Sequence, residues 1–157
     1  MSGRVVLFVG PTMPGVDRFA DVEVRAPAAH GDVYAAARDG ASTIVLVDGV
    51  FDWVRSVWHK EILWALEAGV RVIGAASMGA LRAAECAAFG MEPCGVIAQD
   101  YLHGRRTRDG DVAVAHGSAE DGWRPLSEAL VNVDATLDAA EAAGVIGPLD
   151  AERLRDA

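Results

Sequence analysis

The chain has 157 residues, 52% of them hydrophobic, and a net charge of −9, which gives enough material for one domain with a proper core. That acidity argues against duplex nucleic acid as a partner, because phosphates are met by clustered Lys and Arg. No apolar run approaches membrane-spanning length, and the N-terminal apolar stretch lacks a signal-peptide pattern, so the expected compartment is the cytoplasm.

From Arg4 to Val9 the chain is almost continuously apolar, which predicts a strand buried on both faces. It stops at Gly10-Pro11-Thr12-Met13-Pro14-Gly15, a loop rather than a helix start. Val22–Arg25 predicts a short strand, Asp32–Arg38 a helix closed by Gly40, and Thr43–Val47 another buried strand ending at Asp48-Gly49. Ser56–Ala68 predicts a helix stopped by Gly69, Val70–Ile73 a strand, and Met78–Phe89 a helix stopped by Gly90. Val96–Tyr101 and Asp111–His116 alternate apolar and polar residues around Gly104 and Gly110, the pattern of a β-hairpin or of edge strands. Leu126–Ala143 predicts a helix, and Gly144–Ala157 a short helical tail broken at Pro148. Alternating strands and helices imply an α/β fold. The expected architecture is a Rossmann-like, open, mostly parallel sheet flanked by helices, with a small β-hairpin or edge strands and a C-terminal helix. One domain, 1–157, holds it all, with 140–157 as its helical tail.

The richest stretch is Arg71–Glu85, where an apolar strand runs through Gly74 and two alanines into Ser77 at the head of a helix. Helix N-termini carry unpaired N–H groups and partial positive charge, which suit an anion or oxyanion. The turn resembles a nucleophile elbow but departs from G-x-S-x-G, because Gly74 lies three residues before Ser77. Taken alone, Ser77 is most economically a helix cap. The strand-end rule changes its company: ligands of open parallel sheets bind beyond the carboxyl ends of the strands. That rule gathers Gly10, Pro11, Thr12, Asp48, Gly49 and Ser77, and brings the early turns of the next helix, with His59, Lys60 and Glu61, to the same side.

Each of these has a plainer role. Asp48 can simply bind loop amides, and Thr12 can stabilise its turn. His59, Lys60 and Glu61 point around most of a helix, so one of His59 and Lys60 aims inward and the others are solvated. Arg82 and Glu85 are three apart and can pair on the helix surface. A serine nucleophile needs a base within reach, and Lys60, His59 and His116 are the candidates. No triad spacing is evident. Neither loop carries a nucleotide fingerprint. His30, His59, His103 and His116 are scattered, while Cys86 and Cys94 lack ligand spacing, so no metal or cofactor is expected. Trp53, Trp58, Trp64 and Trp123 read as core or interface anchors. Trp58 and Ile62 fit one buried helical face, which leaves Trp64 as the exposed aromatic.

Taken in order, Gly10-Pro11-Thr12, Asp48-Gly49-Val50-Phe51, Trp58-His59-Lys60-Glu61-Ile62-Leu63, Gly74 to Glu85, Phe89-Gly90-Met91, Gly95, Tyr101, Asp111 to His116 and Leu130-Val131-Asn132-Val133 resemble the TfuA-like core domain. The A-S-M-G-A-L-R-A-A-E run is the specific part, and the likeness extends from Gly10 to about Asn132. The resemblance implies an accessory protein of YcaO-type enzymes in peptide backbone thioamidation. Its expected partners are a YcaO enzyme, a ubiquitin-like (ThiS-like) sulfur carrier and a precursor peptide. Its implied chemistry is hydrolysis of the carrier's C-terminal thiocarboxylate to deliver sulfide. In that reading Ser77, Lys60 and His59 are catalytic. Gly10, Pro11, Thr12, Asp48, Met78, Gly79, Arg82 and His116 bind substrate, with Met78 and Gly79 offering oxyanion donors and Arg82 meeting the carrier's C-terminus. A non-catalytic scaffold or allosteric activator of YcaO is the alternative, and an independent nucleotide-binding protein rests only on Gly10–Gly15 and analogy.

Overall fold

A computed structural model describes residues 3–16, 18–51 and 54–156; Trp53 lies outside them. Five parallel strands form one sheet: β1 (Val5–Phe8), β2 (Val22–Arg25), β3 (Thr43–Leu46), β4 (Arg71–Ala75) and β5 (Glu92–Cys94), in the order β2-β1-β3-β4-β5. Between them run α1 (Asp32–Arg38), α2 (His59–Glu67) and α3 (Met78–Cys86). Beyond the sheet come α4 (Gly95–Leu102), α5 (Leu130–Ala142) and α6 (Pro148–Arg155).

From β2 onward each crossover steps the same way across the sheet, so right-handed connections carry α1, α2 and α3 to one face. There Val6, Phe8, Ile44, Leu46 and Val72 pack with Val33, Ala36, Ile62, Ala65, Ala83 and Cys86. The step from β1 to β2 runs the opposite way and would carry a helix to the other face, but its described residues form only turns and bends. That face is therefore thinly covered: Leu7, Val9 and Val47 are buried, while Val22, Val24, Val45 and Ile73 are half-buried. Burial on both faces, expected from the apolar runs, holds for the β1 run, whereas β3 is fully buried on one face and half-buried at Val45 on the other.

Five further expectations are corrected. Val96–Tyr101 lies within helix α4 rather than a hairpin strand. A window this short satisfies both periods, and the packing of Ile97 and Tyr101, four apart, against Leu81 of α3 and Val112 decides for the helix. Asp111–His116 begins in a 3₁₀ turn (Asp109–Val112) and pairs only through one antiparallel bridge, His116 with Pro125. Because Leu126 donates to the Ala115 carbonyl (2.7 Å), α5 starts at Leu130 and not Leu126. Pro148 opens α6 instead of breaking it, since the first helical position needs no N–H donor. Likewise α2 starts at His59, after an extended Trp58.

The approach of α3 to the sheet is set by two glycines. A side chain on Gly79 would land on the Leu46 carbonyl, and one on Gly74 on the Gly79 carbonyl. The left-handed turn between them falls on Ala76 (φ 57°) instead. Gly79→Ala is expected to destabilise the protein by about 2–3 kcal/mol, the usual cost of overpacking at a rigid contact or somewhat more. The shift of the urea unfolding midpoint measures it; an unchanged midpoint would mean that α3 does not seat this closely.

Candidate functional site

The loops after β1 and β3 leave on either side of the point where the strand order reverses, the place where open parallel sheets form a crevice. Asp48, 2% exposed, ties them together. Its Oδ2 accepts from the Gly10 (2.7 Å) and Thr12 (3.0 Å) N–H groups, and its Oδ1 from the Thr12 hydroxyl (2.5 Å). The carboxylate is thus spent on loop amides, the plainer of its two roles. Next to it the Gly79 N–H donates to the Val47 carbonyl (3.0 Å), which seats the start of α3 on the end of β3.

Ser77 occupies the N-cap position of α3 but does not cap it. Its hydroxyl donates instead to the Val112 carbonyl at 3.3 Å. The residue is buried and follows directly on the strained Ala76 turn. Of the two amides named as oxyanion donors, Gly79 is already engaged by Val47. Met78 N–H makes no hydrogen bond among the described residues. Val112 is held in place by buried Asp111, which accepts from Arg106 (3.3 Å) and Arg108 (2.9 Å). Arg106 also reaches Asp134 on α5 (2.7 Å), and that hydrogen bond is the main reason its guanidinium holds its proton more tightly than usual. Beside it, burial foremost and then the Asp111 charge push the Tyr101 phenol up; its hydroxyl donates to the Arg108 carbonyl (2.7 Å).

Two cavities meet at Ser77, and Pro11 and Val114 also border both. One, of about 280 Å³, is lined by Thr12, Ile97, Ser127, Glu128 and Asn132 among others. The second, of about 730 Å³, is lined by Asp48, Gly49, Phe51, Val54, the stretch 113–118 and Trp123. His116 stands in the larger one. Its Nδ1 lies 2.8 Å from the Gly117 carbonyl, an atom that can only accept, so in the neutral ring Nδ1 carries the proton and Nε2 the lone pair. Trp123 packs edge-on against the imidazole (5.5 Å, 67°) and adopts φ 59°, rare for so large a residue.

Of the expected site residues, Ser77, Pro11, Thr12, Asp48 and His116 line this double cleft, whereas Gly10, Met78 and Gly79 do not; the N–H groups of Gly10 and Gly79 are tied to Asp48 and Val47, and Met78 is buried. His59, Lys60 and Arg82 do not line it. His59, exposed, pairs with Glu85 (2.8 Å). Arg82 donates to the Val57 carbonyl (2.8 Å) and to Glu85 (2.7 Å), joining α3 to the entry of α2. Lys60 is exposed and flanks a separate aromatic surface of His30, Tyr34, Trp58 and Trp64. Trp58 is 46% exposed, contrary to its expected burial.

Glu61 is the inward member of its triplet, contrary to its expected solvation. Its carboxylate accepts from the Gly31 (3.1 Å), Val33 (3.1 Å) and Tyr34 (3.3 Å) N–H groups at the start of α1 and from the Trp58 N–H (2.7 Å) at its own helix start. The W-H-K-E spacing held a hint of this, since a glutamate at the third helical position reaches back to the cap. The partnership with α1 is long-range. Nothing in the sequence separates Ser127 and Glu128 from ordinary helix-entry residues, and Asn132 is marked there only as part of the Leu130–Val133 stretch that resembles the family.

The molecule is thus an open α/β-sheet protein with a buried serine at a helix N-terminus, facing a deep two-part cleft. The model of the TfuA-like protein family matches residues 48–157, and the chain belongs to that family. The match includes the helical tail and leaves the Gly10-Pro11-Thr12 loop outside. No curated protein matches the chain.

Removing the Glu61 carboxylate strands four backbone donors, so Glu61→Ala is expected to cost about 2–3 kcal/mol or more. His59→Ala, at an exposed pair, should cost no more than about 0.5–1 kcal/mol. Chemical denaturation of the two variants tests the contrast; equal effects would contradict the assigned roles.

Proposed function

We propose that this protein serves a YcaO-dependent thioamidation system by hydrolysing the thiocarboxylated C-terminus of a ThiS-like sulfur carrier. The observation that carries the reading is the cavity that Ser77 shares with His116, whose Nε2 has no partner among the described residues, with the unengaged Met78 amide directly following Ser77. In this mechanism His116, directly or through a water, takes the Ser77 hydroxyl proton as Oγ attacks the thiocarboxylate carbon. The Met78 N–H stabilises the developing oxyanion. His116 returns that proton to the sulfur as the C–S bond breaks, so HS⁻ leaves, the imidazole is neutral again and Ser77 is acylated. Water then attacks the ester, again with His116 as base, to give the carboxylate and free serine. Overall, one thiocarboxylate and one water become one carboxylate and one hydrogen sulfide. His116 is preferred to Lys60 and His59 as base because only His116 shares the cleft with Ser77.

Purified protein, thiocarboxylated carrier and a sulfide readout form the test. Ser77→Ala and His116→Gln are each expected to lower sulfide release by about 100-fold or more. Lys60→Ala and His59→Ala, as surface changes, should alter it by less than about threefold. Full activity in Ser77→Ala would sink the nucleophile role and leave water activated by His116 as the chemistry.

A second reading, a scaffold that recruits YcaO, has its own support in the exposed aromatics on α1 and α2. Tyr34 and Trp64 pack edge-on at 4.7 Å and remain 38% and 40% exposed. Such amphipathic rings are the usual anchors of interfaces. Under this reading the protein co-elutes with YcaO through Trp64 and yields no sulfide, and free sulfide replaces it in thioamidation.

A further inference from the structure

The stretch 113–117 borders the larger cavity along its length, and its hydrogen bonding is one-sided. Ala113 is extended (φ −76°, ψ 139°). Ala115 donates its N–H to the Ser127 hydroxyl (2.8 Å) and accepts from the Leu126 N–H (2.7 Å). Gly117 donates to the Arg124 carbonyl (2.9 Å), and His116 and Pro125 form the bridge between these bonds. In extended chain, successive residues turn their main-chain groups to opposite edges. Val114 and His116 therefore point theirs away from 124–127, and neither residue's N–H or C=O makes a hydrogen bond among the described residues. Both residues are half-buried. Main-chain groups without a protein partner are open to pairing with another chain, and here they sit two residues apart along a cavity that Ser77 also lines.

We infer that the substrate is gripped as an added β-strand: an extended, flexible polypeptide tail pairs its main chain with Val114 and His116 and delivers its terminal acyl group to Ser77. This rests on the acyl-transfer reading of Ser77. Strand addition draws affinity from main-chain hydrogen bonds and specificity from pockets for alternate side chains. Phe51 and Val54 line the same cavity, and Trp123 packs edge-on against His116 there. Recognition of this kind selects an unstructured tail over a folded surface. It also holds that tail in one register, which sets the reacting carbon relative to the nucleophile.

The test uses glycine- and alanine-rich hexapeptides ending in a thiocarboxylate, each with one main-chain amide N-methylated. Binding is followed by tryptophan fluorescence in the Ser77→Ala protein and sulfide release in the unaltered protein. The expected result is a two-residue period: methylation at one or two alternating positions weakens binding at least about tenfold, and methylation at the intervening ones changes it less than about twofold. Uniform tolerance, or no binding of any of the peptides, would overturn the added strand. Periodic binding without sulfide release supports the strand and refutes the hydrolase reading. Sulfide release without a period does the reverse.

Discussion

Everything at the carboxyl edge of the sheet hangs on the end of β3. The Phe8 carbonyl accepts both the Val47 and Asp48 N–H groups, so the chain is pinned to β1 as it leaves the strand. The Asp48 side chain then turns back to collect the amides of the β1 loop, while the Val47 carbonyl receives Gly79. A buried carboxylate is tolerable only when its oxygens are met by donors, and here three of them meet it. This one short segment therefore sets the β1 loop, the start of α3 and the depth of the crevice between them.

Seating α3 so tightly has a chemical consequence. Because the Gly79 amide is consumed in holding the helix down, the helix end offers the Met78 amide rather than a ring of donors. The serine one residue earlier is forced off the cap geometry by the Ala76 turn, and its hydroxyl leans on a carbonyl from a distant 3₁₀ turn. That turn is itself fixed by the Asp111–Arg106–Asp134 chain, which joins it to α5. The carboxyl edge of the sheet and α5 are thus joined twice, by this part-buried charge pairing and by the apolar cluster of Leu81, Val112, Ala129 and Val131.

The asymmetry of the sheet follows from its first connection. Parallel sheets are ordinarily covered on both faces because every crossover supplies a helix. Here three crossovers share one direction and the fourth contains no helix among its described residues, so one face carries the deep core and the other is half-open. The same loop, freed from being a helix, lends Pro11, Thr12 and Pro14 to the cleft.

By itself the sequence determined the run of elements from β1 to α3, the family and the prominence of Ser77, because local period, glycine stops and small-residue motifs are all written within a few residues. The plain reading of Asp48 was legible too, as was the Arg82–Glu85 pair. Only the tertiary structure decided which member of His59-Lys60-Glu61 turns inward, since the donors that draw in Glu61 come from a helix nearly thirty residues earlier. It also made Val96–Tyr101 a helix, through contacts with α3 that a short ambiguous window cannot reveal. And it put His116 on the cavity that Ser77 also lines while leaving His59 and Lys60 on the surface, because the 113–127 loop folds back over the strand ends, a long-range closure with no local signature.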